Sequence, residues 1–299
     1  MQLLVFILLS IIWGTTWVAI KVTLEGIPPF MGAALRFMIA VLLLFIYSRF
    51  KKTSLKLNKS DFKLLFISAI LLYTLDYGLI YWGEQYLSAG VTSIFFATMP
   101  LFITIFSNFI FKNEIFNWIK FSGVILGFWG VLIIFYDQLL VTNFNFLVSM
   151  AVLAIIVSSA SAALATIIVK KYLNHINSVP LTLHQIVWGV ISLLAISLVS
   201  GEINYIQINT RVAIAVIYLG AFGSAVAFVM FYWLLKKTSA ISLSFIVYIT
   251  PVVALIADWL FFGETIAVKT FIGMLLIFSG IFLAQKDMFE KKRVSQLVD

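Results

Sequence analysis

Two carboxylates stand well inside long apolar stretches of this chain, Asp76 and Asp258. An ionisable group at that depth is costly, so an acid kept there serves a partner, a substrate or a proton. Asp76 has Tyr73 and Tyr77 within one helical turn, which gives a polar, aromatic face. Arg36 and Asp76 each lie about 10 Å inside the same end of their apolar runs, at 1.5 Å per helical residue. Two readings of Asp76 follow. It contacts a substrate amine or a coupling proton, or it forms a structural ion pair with Arg36. Asp258 stands close to Glu264 and the end of its run, and reads as a solvated or helix-packing acid with a lesser claim to coupling.

Other faces carry hydroxyls and rings at helical spacing. Trp13, Thr16 and Trp17 share one face. Ser93, Phe96 and Ala97 lead to Pro100, as Ser244, Val247 and Tyr248 lead to Pro251. A helix-interior proline frees a carbonyl and kinks the helix, and a freed carbonyl beside hydroxyls suits a cavity wall. Ser224, Ala227 and Phe228 form a further candidate face, and Ser158, Ser159 and Ser161 form a small polar stripe that either lines a cavity or permits close helix approach. Gly123, Gly127 and Gly130 read as a packing surface, within the chain or at a dimer contact. His184 follows Pro180 near a rim. Lys21 and Lys170 end their helices and are expected to snorkel to opposite surfaces.

The elements that must hold these groups follow from composition. Of 299 residues, 63% are hydrophobic and 11% are charged. Soluble domains run at roughly 45–50% apolar and about 25% charged. A bilayer accommodates that excess, and the chain divides into ten apolar runs near the required length of about 20 residues. They are 3–20, 30–48, 62–82, 89–111, 118–136, 146–169, 179–200, 212–235, 240–262 and 267–284. The first lacks the charged start and small-residue cleavage site of a signal peptide and reads as a retained span. The connections are short, so no soluble domain is expected. With the N-terminus inside, the cytoplasmic segments hold 16 of the 20 basic residues and the outer segments hold Lys21, Arg36, Arg211 and Lys269. This predicts both termini in the cytoplasm of a multi-pass inner-membrane protein. It also accounts for the net charge of +8 without nucleic acid.

An internal repeat organises the runs. Pro29 and Pro180, Pro100 and Pro251, Tyr81-Trp82 and Tyr232-Trp233, and Ser88-Ala89 and Ser239-Ala240 all pair 151 positions apart. After a one-residue slip, Glu114, Gly123 and Gly130 match Glu264, Gly273 and Gly280. Five crossings per copy put the second copy in upside down. The predicted fold is an all-α membrane protein of ten transmembrane helices, built as two inverted five-helix repeats around a central cavity. The copies are expected over 1–140 and 141–285, with a charged cytoplasmic tail over 286–299. Secondary transporters use this architecture, with the binding site between the halves.

Several stretches together resemble the EamA family of the drug/metabolite transporter superfamily. They are IWGTTWVAIK at the start, PPFMGAALRF with Arg36, YLSAGVTSIFFATMP followed by Asn113-Glu114, and KTSAISLSFIVYITP followed by Gly263-Glu264. The resemblance implies a cavity lined by helices 1, 3, 4, 6, 8 and 9, with helices 5 and 10 as peripheral packing. It also implies a carrier of small metabolites such as amino acids and their relatives, frequently an exporter. Asp76 is not part of the family pattern, so its role is argued from its surroundings alone. Arginine or lysine deep in a cavity would mark anionic cargo, and none is expected near the midplane; neutral, zwitterionic or cationic amphiphiles fit better.

Two other classes compete. A membrane-embedded enzyme is poorly provisioned, because there is no G-x-S-x-G, no H-E-x-x-H and no clustered acids. Neither cysteines nor more than two histidines are available for a metal, so no metal or other cofactor is expected. A non-transporting sensor or assembly protein would favour a soluble domain. The expected partners are a small metabolite and lipid, and the residues do not decide between monomer and homodimer.

Overall fold

The computed structural model describes residues 1–111, 118–253 and 268–298, with side chains described as far as residue 283. Asp258, Glu114 and Glu264 lie outside the described residues. In lipid every backbone N–H and C=O must be satisfied within the chain, and helices are the solution available to apolar runs of this length. Seven helices are long and apolar enough to span: α1 (Gln2–Leu24), α2 (Pro29–Phe50), α3 (Lys59–Gly83), α4 (Ala89–Ile110), α6 (Phe146–Leu173), α7 (Ser178–Val199) and α8 (Thr210–Lys237). Three shorter apolar helices, α5 (Trp118–Ile134), α9 (Ala240–Val253) and α10 (Val268–Leu283), complete ten among the described residues. The side of the bundle that carries residue 1 is called the near side, and the opposite one the far side.

The two halves repeat each other in detail. A π-helical stretch interrupts α3 over Ile70–Asp76 and α8 over Ala221–Val226, starting 151 positions apart. The Ser88 hydroxyl caps α4 by accepting from Val91 N at 3.3 Å, and Ser239 caps α9 by accepting from Ser242 N at 3.0 Å. Both proline helices are broken. Segment Ala89–Phe96 of α4 ends in a turn at Ala97 and Thr98, and Met99–Ile110 starts with Pro100 in its first turn, where a missing N–H is tolerated. In α9 the segment Ala240–Ser244 stops at Phe245 and helix resumes over 246–253, containing Pro251. The Thr250 hydroxyl donates to Val247 O, the carbonyl that Pro251 leaves free, at 3.1 Å.

Helices α5 and α10 pack on each other through glycine. A methyl on Gly130 would lie 2.6 Å from Gly273 O, and one on Gly280 would meet Gly123 O. Gly127 faces the Tyr248 ring. The glycine surface of α5 is therefore used within the chain.

The connections tie the ends together. On the far side, the Glu202 carboxylate accepts from Phe30 N at 3.2 Å and Met31 N at 2.8 Å, and caps α2 from the α7–α8 connection. On the near side, His175 Nε2 contacts Asp61 Oδ2 at 3.0 Å.

Candidate functional site

A cavity of about 70 Å³ sits at the centre of the bundle, lined by α1, α3, α4, α6, α8 and α9. Each helix enters for a local reason. The continuous helix α1 presents Trp13, Thr16 and Trp17 at one-turn spacing. The π segment of α3 ends at Asp76 and aims it and Tyr77 inward. Such widened turns are frequent at functional sites. The breaks in α4 and α9 bring Phe96, Met99, Ser244 and Thr250 to the wall. Across the cavity, Phe228 stands edge-on to Trp13 at 5.7 Å and to Tyr77 at 5.9 Å. The wall is aromatic and aliphatic, and Asp76 is its one ionisable carboxylate among the described residues.

Asp76 is buried, and Ser158 of α6 donates to its Oδ1 at 2.5 Å. The depth match with Arg36 does not produce an ion pair. Arg36 turns to the π segment of α8, where Nε donates to Ser224 Oγ at 3.0 Å and Nη2 to Gly223 O at 3.2 Å. Its guanidinium also lies 4.8 Å from the centre of the Tyr77 ring. Tyr77 lines the cavity and Arg36 stands behind it. The same Gly223 O accepts from Trp13 Nε1 at 3.3 Å, so this turn of α8 anchors both α1 and α2.

Of the residues expected at the site, Trp13, Thr16, Trp17, Asp76, Tyr77, Phe96, Phe228 and Ser244 line the cavity. Ser93 lines a separate far-side vestibule, whose wall shares Trp17 with the cavity. Five others lie outside the lining. Tyr73 is fully buried between Phe37 and Phe228. Ser158 holds Asp76 from behind. Ser161 donates to Leu71 O at 2.7 Å and fastens α6 to α3. Ser224 serves Arg36. Tyr248 donates to Val124 O at 3.0 Å, which turns its ring toward α5. His184 Nδ1 bonds Pro180 O at 2.8 Å, within its own helix.

The lysines at the ends of α1 and α6 do not snorkel, contrary to the expectation from their positions. Neither ammonium reaches outward as a snorkelling one would. Lys21 Nζ donates to Glu84 O and, at 2.8 Å, to Leu87 O on the far side. Lys170 Nζ donates to Leu235 O at 2.6 Å and Thr238 O at 3.0 Å on the near side. Leu235 and Thr238 are the positions 151 beyond Glu84 and Leu87, so the two lysines make the same clasp in inverted copies. The reason is local: each elbow after α3 and α8 leaves end-of-helix carbonyls without intrahelical donors.

Sequence reasoning missed Glu84. It follows the last residue of α3 and is fully buried, and neither carboxylate oxygen has a hydrogen-bond partner among the described residues. Burial pushes its carboxyl up from the ordinary range, and the charges of Lys21 and Arg36 oppose that. Spacing could have found it, because Tyr77, Tyr81 and Glu84 continue one face of α3 past the end of the apolar run.

Residues 1–136 and 149–285 each match the EamA-like transporter family. The chain belongs to the EamA-like transporter family. It is 29% identical over 274 residues to the uncharacterized transporter YoaV of Bacillus subtilis, covering 92% of this chain and 93% of that one. It is 24% identical over 290 residues to the protein PagO of Salmonella typhimurium, covering 94% and 91%. A crystal structure only 17% identical in sequence shares this fold, with a TM-score of 0.78 over 95% of this chain and 96% of the other. The chain is a multi-pass membrane transporter with the ten-helix inverted-repeat fold.

Proposed function

We propose that this transporter carries small neutral, zwitterionic or cationic organic metabolites, amino acids and their relatives among them, by alternating access and in the direction of export. One observation carries the reading. The central cavity is walled by both repeats and by aromatic rings, and holds a single buried acid backed by a serine. An ammonium group would satisfy Asp76, and the rings around it would hold an apolar or aromatic body.

The cavity size supports the cycle. At about 70 Å³ it is smaller than the 150 Å³ hollow known to hold benzene and far below ordinary ligand pockets. A metabolite therefore enters only when the wall moves. The clasps at Lys21 and Lys170 fasten opposite ends of the bundle, so releasing one at a time would open one side at a time. The basic residues crowd the near side, which we take as cytoplasmic, with both termini there, in the inner membrane. No basic residue lines the cavity among the described residues, which disfavours phosphorylated cargo.

Reconstituted protein should move zwitterionic or cationic solutes in counterflow, and Asp76→Asn should raise the KM for aminated solutes by roughly 10- to 100-fold, the loss of a charged hydrogen bond worth about 1.5–3 kcal/mol. Robust uptake of a sugar phosphate would overturn the assignment of cargo.

A further inference from the structure

The far-side clasp differs from the near-side one in having a titratable side chain at an acceptor residue. Lys21 binds the backbone carbonyl of a residue whose own side chain is a carboxyl, whereas Lys170 binds the corresponding carbonyl of Leu235. Glu84 thus offers Lys21 two acceptors, a carbonyl now in use and a carboxyl now without a donor. The groups that act on this carboxyl are Lys21 from α1, Arg36 from α2 and Tyr81 from its own helix. From α6 the adjoining turn of α3 meets Ala151 and Ile155, which do not titrate. The Arg36 guanidinium and the Tyr81 hydroxyl are buried and act on one another, although Arg36 Nη1 and the Tyr81 hydroxyl complete no hydrogen bond of good geometry among the described residues.

We propose that Glu84 is a proton-binding site, distinct from the substrate cavity, whose ionisation draws Lys21 off the Glu84 and Leu87 carbonyls and unlocks the far end of α1. When Glu84 is protonated, a neutral carboxyl competes poorly for the ammonium, and Lys21 stays on the two carbonyls. When the proton leaves to far-side water, a buried carboxylate without donors is costly, and of the two cations acting on it Lys21 acts more strongly and is drawn to it. One O–H bond breaks, the proton goes to solvent, and Lys21 exchanges carbonyl acceptors for the carboxylate. Trp17 lies one turn before Lys21 on α1 and is the wall shared by cavity and vestibule. Its ring packs edge-on against Phe96 at 5.4 Å. Releasing Lys21 frees that wall. The inference rests on the transport reading for its purpose, since a proton here gates the path that the cavity serves.

The chain has no cysteine, so a single Thr16→Cys reports cavity access cleanly. Its labelling by a membrane-impermeant maleimide from the far side is referred to an exposed Val141→Cys control, which removes the ordinary pH effect on a thiol. Labelling should accelerate as far-side pH rises, by at most about tenfold per pH unit for one proton. In Glu84→Gln it should stay slow at every pH, and in Lys21→Met it should be fast at every pH. Unchanged pH dependence in Glu84→Gln, or no acceleration in Lys21→Met, overturns the proposal. Should Glu84→Gln fail to fold, infrared titration of Asp76→Asn protein decides. A buried protonated-carboxyl band that fades with rising pH supports the site, and its absence at all pH values refutes it. Neither readout needs a substrate. Failure of every metabolite to move would sink the transport reading alone, and pH-independent labelling would sink this one alone.

Discussion

Asp76 and Arg36 show how two buried charges at one depth part company. Asp76 is held by Ser158 at the cavity wall, and Arg36 is held by Ser224 and Gly223 behind it. Their substitutions should therefore separate. Asp76→Asn keeps the Ser158 contact and should leave thermal stability near that of the unaltered protein while weakening aminated cargo. Arg36→Met removes donors from two buried acceptors and should lower stability by about 1–3 kcal/mol, read by thermal unfolding in detergent. Equal losses of stability in both variants would contradict the split. Residue type and spacing revealed Asp76, because an acid in an apolar run is conspicuous. They did not reveal the direction of Tyr248, since a tyrosine on a cavity-facing stripe and one reaching a neighbouring carbonyl look alike in sequence. Glu84 escaped notice because it stands just beyond an apolar run, where acids are ordinarily solvated.

At the scale of elements, the repeat made most of the architecture readable. The 151-residue offset that pairs the prolines also pairs the π segments, the serine caps and the carbonyls that the two lysines hold. The π segments themselves leave no trace in hydropathy, because an extra residue in a turn keeps the run apolar. The break of α4 is braced by Thr98 and Ser159, whose hydroxyls meet at 2.7 Å. Ser159→Ala should cost about 0.6–1.7 kcal/mol, the range for hydrogen bonds between membrane helices. Gly130→Leu should be worse, since its side chain would enter the α10 backbone at Gly273. Folded yield by size-exclusion chromatography should fall sharply for Gly130→Leu and change little for Ser159→Ala. A normal yield for the leucine variant would place α10 elsewhere.

At the scale of the molecule, inverted copies supply two similar ways of packing, and the differences between copies supply direction. Ala227 stands where Asp76 does, and Leu235 where Glu84 does. The carboxyls at these two positions thus belong to the first copy, one at the cargo and one at the far-side clasp. Composition made the membrane and the ten helices legible, and the orientation drawn from the basic residues stands as a proposal. Cargo was not legible, because it depends on which side chains turn inward, and Tyr73, Ser158, Ser161, Ser224 and Tyr248 turn elsewhere. The most direct test is counterflow in proteoliposomes with purified protein, using a panel of amino acids, amines and sugar phosphates. The expected result is saturable, protein-dependent exchange of amino acids or amines that Asp76→Asn weakens, with sugar phosphates inert. Exchange confined to sugar phosphates, or none above protein-free vesicles for any solute, would contradict it.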